Sequence, residues 1–389
     1  MQEKRDLGKN ASGRRSFLKK GLTAGAVTVG AGLAAGGSFA PSVFAEDEKS
    51  GRLSRGDAAI LRFLAAAEII ESDLWLQYNE LAGVQDGEVA KLAASLIPGY
   101  PSQATGGNSL YTAAVAQLDS DMAQYISDNT EDELSHETFI NAYLASKGAS
   151  TVSLDAFRTL PSSTATGANN FGRITNLTQL TVDTTWWTRY RSSTQNPDFG
   201  DSFAPAIPTL ATKQHTAIPR NNGETSNPDQ LQTIANTAGF HFGTIEQGGS
   251  SLYPQLAQRV SSVEVLRILL SIGGTEITHF QTWHDKAGNA PDSSFFDPVN
   301  NSLVTFDVQS AARFATEDFK TNLIMPEPTV FLSRNFPPVS IIRPTETTNA
   351  AMGAVKALSQ DGLFIGQSPA FFALLQDLAS DADAARREG

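Results

Sequence analysis

Apolar residues recur along this chain at steps of three and four, the spacing at which side chains share one face of an α-helix. Leu61, Leu64, Glu68, Glu71, Trp75 and Tyr78 form the first such stripe. It predicts a helix from Asp57, acting as N-cap, to about Leu81, closed near Gly83. A short helix and a Gly/Pro-rich loop are expected over 84–107. A second long helical stretch should begin near Asn108 and run to Gly148. Asp128-Asn129-Thr130 interrupts it, because Thr130 and Glu133 have the spacing of a capping box. Beyond the break, Glu133, His136, Ile140 and Tyr143 share a face. Asn227-Pro228-Asp229 opens a third helix with proline in its first turn. It continues through Ile234, Ala238, Phe242 and Glu246, with Gly248, Gly249 and Pro254 predicting an irregular C-terminal part. Ser261 or Ser262 caps a fourth helix, which ends near Gly288 and carries the stripe Leu269, Ile272, Glu276, His279 and Trp283.

Residues 149–228 have a different texture. Ser, Thr, Asn, Gly and Pro dominate, and β-branched residues alternate with polar ones around Leu177–Trp187. Loops and a short hairpin are expected there. Trp186, Trp187 and Tyr190 should pack this segment over one side or end of the helices, with Arg189 and Arg191 as structural ion-pair donors. Residues 290–345 read as mostly irregular, followed by short helices over Asn349–Ser359 and Pro369–Arg387. The expected fold class is mainly α: a four-helix bundle over 57–289, a long irregular insertion (149–228) between its second and third helices, and a C-terminal extension (290–389) packing on the bundle.

The first 45 residues read as an address, with a linker at 46–56. Arg14-Arg15-Ser16-Phe17-Leu18-Lys19-Lys20 is a twin-arginine signature. A weakly hydrophobic Ala/Gly-rich run follows from Gly21 to Phe39, and Val43-Phe44-Ala45 offers small residues for cleavage after Ala45. Gly13 stands where such signals usually have Ser or Thr. The apolar run is short and broken by glycines, which argues against an anchor. The expected route is twin-arginine translocation to the periplasm or outside the cell. The whole chain has a formal net charge of −12. The leader holds seven Lys/Arg and two Asp/Glu, which leaves 22 basic and 39 acidic residues, net −17. That balance excludes nucleic acid as an expected partner. The chain has no cysteine, so disulfides, thiolate metal sites and iron–sulfur clusters are excluded together.

The chemistry lies in the acids that interrupt the apolar stripes. Glu133-x-x-His136 and Glu276-x-x-His279 each put a carboxylate and an imidazole one turn apart on one helix face. On a buried face both need a partner, and both are good ligands for first-row metals. Glu68 on the first helix and Glu246 on the third complete an inventory of one Glu from each of two helices and one Glu-x-x-His from each of the other two. That inventory belongs to di-iron and di-manganese carboxylate bundles. Four carboxylates and two neutral imidazoles carry −4, which two divalent ions neutralise. The competing interpretation makes the two pairs ordinary surface pairs; the apolar neighbours on their faces speak against it. His241 and His284 are expected in the core or at the surface rather than as ligands, and no role is expected of His215.

On these residues the chain resembles the ferritin-like superfamily, nearer its exported, desiccation-related branch than the cage-forming ferritins. Glu68 followed by Trp75 is similar to the family's first-helix motif, and Glu246 with Tyr253 repeats that spacing. Asp132-Glu133-Leu134-Ser135-His136 and Thr275-Glu276-Ile277-Thr278-His279 match its two Glu-x-x-His motifs. The resemblance implies two divalent metals, iron first and manganese second, with Glu68 and Glu246 terminal and Glu133 and Glu276 bridging; Glu71 is the rival of Glu68. It implies redox chemistry with dioxygen or peroxide, and hence an oxidase- or ferroxidase-like oxidoreductase acting in oxidative stress or metal handling. The alternatives are manganese catalase-like peroxide disproportionation and a non-enzymatic protective protein using the bundle as scaffold. A homo-oligomer is compatible with the pattern. The long insertion and the C-terminal hundred residues depart from compact ferritins and argue against a storage cage.

Overall fold

The computed structural model describes residues 51–387, apart from 317, 321–323 and 346–348. The expected leader and the first residues of the linker lie outside the described residues. Helix α1 (Arg55–Ala82) is capped by Ser54, whose hydroxyl accepts from Asp57 N–H at 3.0 Å, and it stops at Gly83. Asp57 is therefore not the cap. Its buried carboxylate instead accepts from the backbone N–H groups of Ser261 (2.8 Å) and Ser262 (3.0 Å), tying the start of α1 to a distant turn. Ser and Asp are both good capping residues, and the tertiary contact decided between them.

Helix α2 (Glu88–Leu96) is short, as is α3 (Ser109–Val115), capped by Asn108. The break before α4 (Met122–Ser146) falls at residues 116–121, not at Asp128-Asn129-Thr130. Thr130 sits inside the helix, its hydroxyl bonding back to Ile126 C=O at 2.6 Å, so the expected capping box does not form. In the insertion, α5 (Thr185–Arg191) carries Trp186, Trp187 and Tyr190 into the core. The expected hairpin reduces to isolated bridges, Leu160 with Arg173 and Leu180 with His215. Helix α6 (Pro228–Ala257) starts on Asn227 and Pro228 and remains helical through Gly248, Gly249 and Pro254. The buried side chains of Leu252, Tyr253 and Leu256 hold that last stretch in place. Helix α7 (Val263–Gly288) is capped by Ser262. Where irregular chain was expected, β1 (Ser293–Asp297) and β2 (Ser302–Phe306) form an antiparallel pair with Ser293 opposite Phe306. Helices α8 (Ala311–Phe314), α9 (Ala350–Gln360) and α10 (Pro369–Ala384) follow. Among the described residues no helix is long and apolar enough to cross a membrane.

Helix α1 packs along α4, and α6 along α7, with α10 against α1. Helices α1, α6 and α7 meet over an aromatic layer. Trp75 stacks on Trp283 with ring centroids 5.2 Å apart, and Phe242 lies 4.8 Å from Trp75 and 4.7 Å from Trp283. The fold is thus a mainly α bundle carrying a long insertion and additional C-terminal helices and strands.

Buried acids on α1 anchor the insertion. Asp73 accepts from the N–H groups of Ile174 (3.0 Å) and Thr175 (2.9 Å) and from the Thr175 hydroxyl (2.7 Å), and pairs with Arg158 at 2.7 Å. Glu80 pairs with the buried Arg173 and accepts from Tyr100. Of the expected ion-pair donors, Arg191 lies over the Trp187 ring at 3.8 Å and donates to Lys320 C=O. Arg189 forms no ion pair among the described residues; it lies over Tyr190. Asp73→Ala strands two buried backbone donors and removes one of the two carboxylates that hold Arg158, the other being Asp155 at 3.1 Å. It should lower the unfolding free energy by about 3–5 kcal/mol, read from urea denaturation with the metal content held fixed.

Candidate metal centre

Each helix presents its acid to the bundle axis because the acid interrupts an apolar stripe. Glu68 (α1), Glu133 (α4), Glu246 (α6) and Glu276 (α7) are buried to within 1 % of full burial, and His136 and His279 are nearly so. The structure brings these six residues together. Their donor atoms form two groups, Glu68, Glu133, His136 and Glu276 in one and Glu133, Glu246, Glu276 and His279 in the other, with the atoms of each group within 4.8 Å of one another. Glu133 and Glu276 belong to both. Glu71, the rival of Glu68, belongs to neither and lines a neighbouring cavity.

The imidazoles point inward through the same nitrogen. His136 Nδ1 lies 3.4 Å from Glu68 Oε2, 3.2 Å from Glu133 Oε2 and 3.3 Å from Glu276 Oε1. His279 Nδ1 lies 3.2 Å from both Glu133 Oε1 and Glu246 Oε2. A nitrogen carries at most one proton, so two protons cannot satisfy five such contacts. Donors held at about 2.0–2.2 Å around a common cation stand about 3.0–3.4 Å from each other, which is the separation seen here. Glu276 makes the mismatch plain: neither carboxylate oxygen has a hydrogen-bond partner of good geometry, and Glu68 Oε2 is in the same position. A buried, unsatisfied carboxylate oxygen is costly, and a cation is the partner that removes the cost at every donor together. The donor set therefore fits two metal ions, consistent with a ferritin-like di-metal site.

A further set of residues holds the donors in place. Asn129 Nδ2 donates to Glu133 Oε1 (2.7 Å) and Glu246 Oε1 (2.9 Å), while its Oδ1 accepts from Trp283 Nε1 at 2.6 Å. The Tyr253 hydroxyl donates to Glu68 Oε1. Asp132, with a half-exposed side chain, lies 3.1 Å from His279 Nε2; such a carboxylate orients a ligating ring. Two glycines permit close approach. A Cβ on Gly249 would stand 2.3 Å from Glu276 Oε2, and one on Gly273 would stand 2.7 Å from Tyr253 Cβ. Sequence reasoning read Asn129 as part of a helix break and missed its role. Nothing local distinguishes an asparagine that stops a helix from one that bridges two carboxylates. His241 is buried and hydrogen-bonds Tyr78 at 2.7 Å, and His284 stacks on Trp187; neither belongs to the cluster.

Protons do the work of the cations in the metal-free protein. Burial pushes the Glu68 carboxyl up to about 7 against the pull of His136. Burial and the Glu133 charge push Glu276 well above the carboxylate range, and burial also raises Glu246. Burial acts on Glu133 too, but hydrogen bonds from His136 and His279 outweigh it and hold that carboxyl low. Burial disfavours both imidazolium ions, yet the charges of Glu68 and Glu246 outweigh it and raise His136 and His279 well above the usual imidazole value.

Raised carboxyls and raised imidazoles act with one sign. Each binds its proton more tightly folded than unfolded, the carboxyls from about pH 4.5 upward and the imidazoles from about pH 6.5 upward, so stability falls as pH rises through these windows. The melting temperature of chelator-treated protein should fall between about pH 5 and about pH 8. With saturating divalent metal the trend should reverse, because the ions displace the same protons. Calorimetry across this range checks both slopes. No family model matches the chain, and neither does any curated protein or solved structure.

Proposed function

We propose that this chain is an exported ferritin-like di-metal carboxylate protein, with iron as its metal and dioxygen or peroxide as its substrate. The observation that carries the reading is the pair of buried donor groups sharing Glu133 and Glu276. In this reading Glu68 and His136 would hold one ion and Glu246 and His279 the other, with Glu133 and Glu276, common to both donor groups, serving both. The Arg14-Arg15 signature supports export by the twin-arginine route, which suits a chain that folds around metal before leaving the cytoplasm.

A pair of redox metals held there would supply two electrons together to an oxygen–oxygen bond. The chain's own part is to hold, orient and exclude water. Four helices bury the donors, so charge at the cluster is weakly screened. Asn129 fixes Glu133 and Glu246 relative to each other, and Trp283 fixes Asn129. Tyr253 holds Glu68 through one oxygen and leaves Oε2 turned towards His136. Asp132 keeps the proton of His279 on Nε2, so that Nδ1 offers its lone pair. Oxidative-stress defence or metal handling is the corresponding role.

Two metals per chain are expected by elemental analysis of the natively exported protein. Glu133→Ala or Glu276→Ala should lose both ions, whereas Glu68→Ala or Glu246→Ala should keep one. Retention of two ions in either bridging variant overturns the assignment. Asn129→Ala should weaken metal binding by about 10- to 100-fold, measured by competition with a chelator. Iron without oxygen release from peroxide is the expected chemistry; manganese with oxygen release would replace it by peroxide disproportionation. Exchanging Arg14 and Arg15 together for lysine should leave the precursor in the cytoplasmic fraction, and unchanged export would remove the twin-arginine reading.

A further inference from the structure

Beside the cluster, α1, α6, α9 and α10 line a cavity of about 110 Å³. Its wall is chiefly small and apolar, with Ala66, Ile70, Ile245 and Ala354 typical of it. Among the described residues the charged ones on the wall are Glu71, Asp183 and Asp361, with no Lys, Arg or His. The inner end reaches the cluster at Gly249. A Cβ there would collide with Glu276 Oε2, so a glycine's thickness separates the cavity from a proposed bridging carboxylate. Glu71 stands at the same end, one turn from Glu68, and makes no hydrogen bond or ion pair among the described residues. The outer end opens at Gly248, which is exposed and would have nothing within 4 Å of an added Cβ.

The lining selects by charge as well as by polarity. An anion would enter a dry space walled by acids with no cation to meet it. A cation would have to give up its water to a wall that is chiefly apolar. The Asp183 carboxylate is already engaged by the N–H and hydroxyl of Thr185. What remains is an apolar space with three acids at its edge. An apolar cavity of about 150 Å³ accepts benzene, so this one, which is open at one end, suits a single-ring molecule of about that size, a methyl substituent included.

We infer that this cavity binds a neutral, apolar small molecule of about benzene's size and presents it to the metal cluster across Gly249 and Glu71. The second half of this statement rests on the di-metal reading; the first half does not. The substrate class that follows is an uncharged hydrocarbon or simple arene.

Toluene and benzoate are the probes, matched in shape and opposed in charge state, titrated into the purified full chain and followed by ligand-observed NMR. Toluene should bind saturably, and benzoate should not bind at about tenfold higher concentration. Gly248→Leu places a side chain at the open end, where an added Cβ meets nothing within 4 Å, and Ala354→Phe narrows the lumen. Each should weaken toluene binding by at least about tenfold, with melting temperature and metal content close to wild type. Wild-type toluene affinity in both folded variants, or equal binding of benzoate, overturns the proposal. Loading with Mn(II) instead of Zn(II) should speed the relaxation of bound toluene protons, and Gly248→Leu should abolish that effect. Two bound Mn(II) ions with no faster relaxation would place the occupant away from the cluster and overturn the second half. A chain that takes up no metal would instead remove the di-metal reading, while the metal-free titration still decides what the cavity holds.

Discussion

Four carboxylates and two imidazoles share the dry centre of this bundle, and protons alone cannot reconcile them. Each imidazole nitrogen that faces inward meets more carboxylate oxygens than it has protons to offer. The metal-free protein answers with a compromise in which Glu133 stays ionised, burial drives Glu68 and Glu276 towards the protonated form, and the imidazoles carry charge. Two divalent ions remove the need for any of this. The stability of the fold and the occupancy of the site are then two aspects of one charge balance.

The architecture around the cluster follows from keeping that balance dry and aligned. The stack of Trp75, Trp283 and Phe242 closes one side of the centre, and Trp283 spends its only donor on Asn129. Gly249 and Gly273 let α6 and α7 approach closely enough for Glu276 and Tyr253 to reach their positions. On the outer side of α1, Asp73 and Glu80 fasten the insertion through backbone donors and arginines. The same helix thus carries acids of two kinds. Asp73 and Glu80 are matched by donors of the insertion, whereas Glu68 faces a group of donors suited to a metal ion.

The cavity between α1, α6, α9 and α10 gives the C-terminal helices a reason to be part of the molecule. They cover a face of α1 and α6 that a bare four-helix bundle would leave to water. Among the described residues the acids they help to enclose have no matching base, which is the basis for expecting neutral rather than anionic molecules there.

Local spacing carried most of what could be read without coordinates. Glu-x-x-His is a one-turn relation, and a one-turn relation survives whatever the rest of the chain does; the four long helices and their caps at Asn227 and Ser262 are local in the same sense. Choices that depend on partners distant in sequence were out of reach. Glu68 and Glu71 share one stripe; the resemblance favoured Glu68, but spacing alone left both open, and the positions of His136 and Tyr253 place the first in the cluster and the second on the cavity wall. Asp57 has the chemistry of a cap but serves the turn at Ser261, and Asn129 looks like a breaker but joins Glu133 to Glu246. Gly248, Gly249 and Pro254 signal an irregular end, yet packing keeps α6 helical through all three. The sequence by itself determined which side chains share a helix face, because that depends on a fixed rise and turn per residue. Only the tertiary structure decided which of those faces meet, because buried charges and hydrogen-bonding groups are satisfied by partners that the chain brings near only on folding.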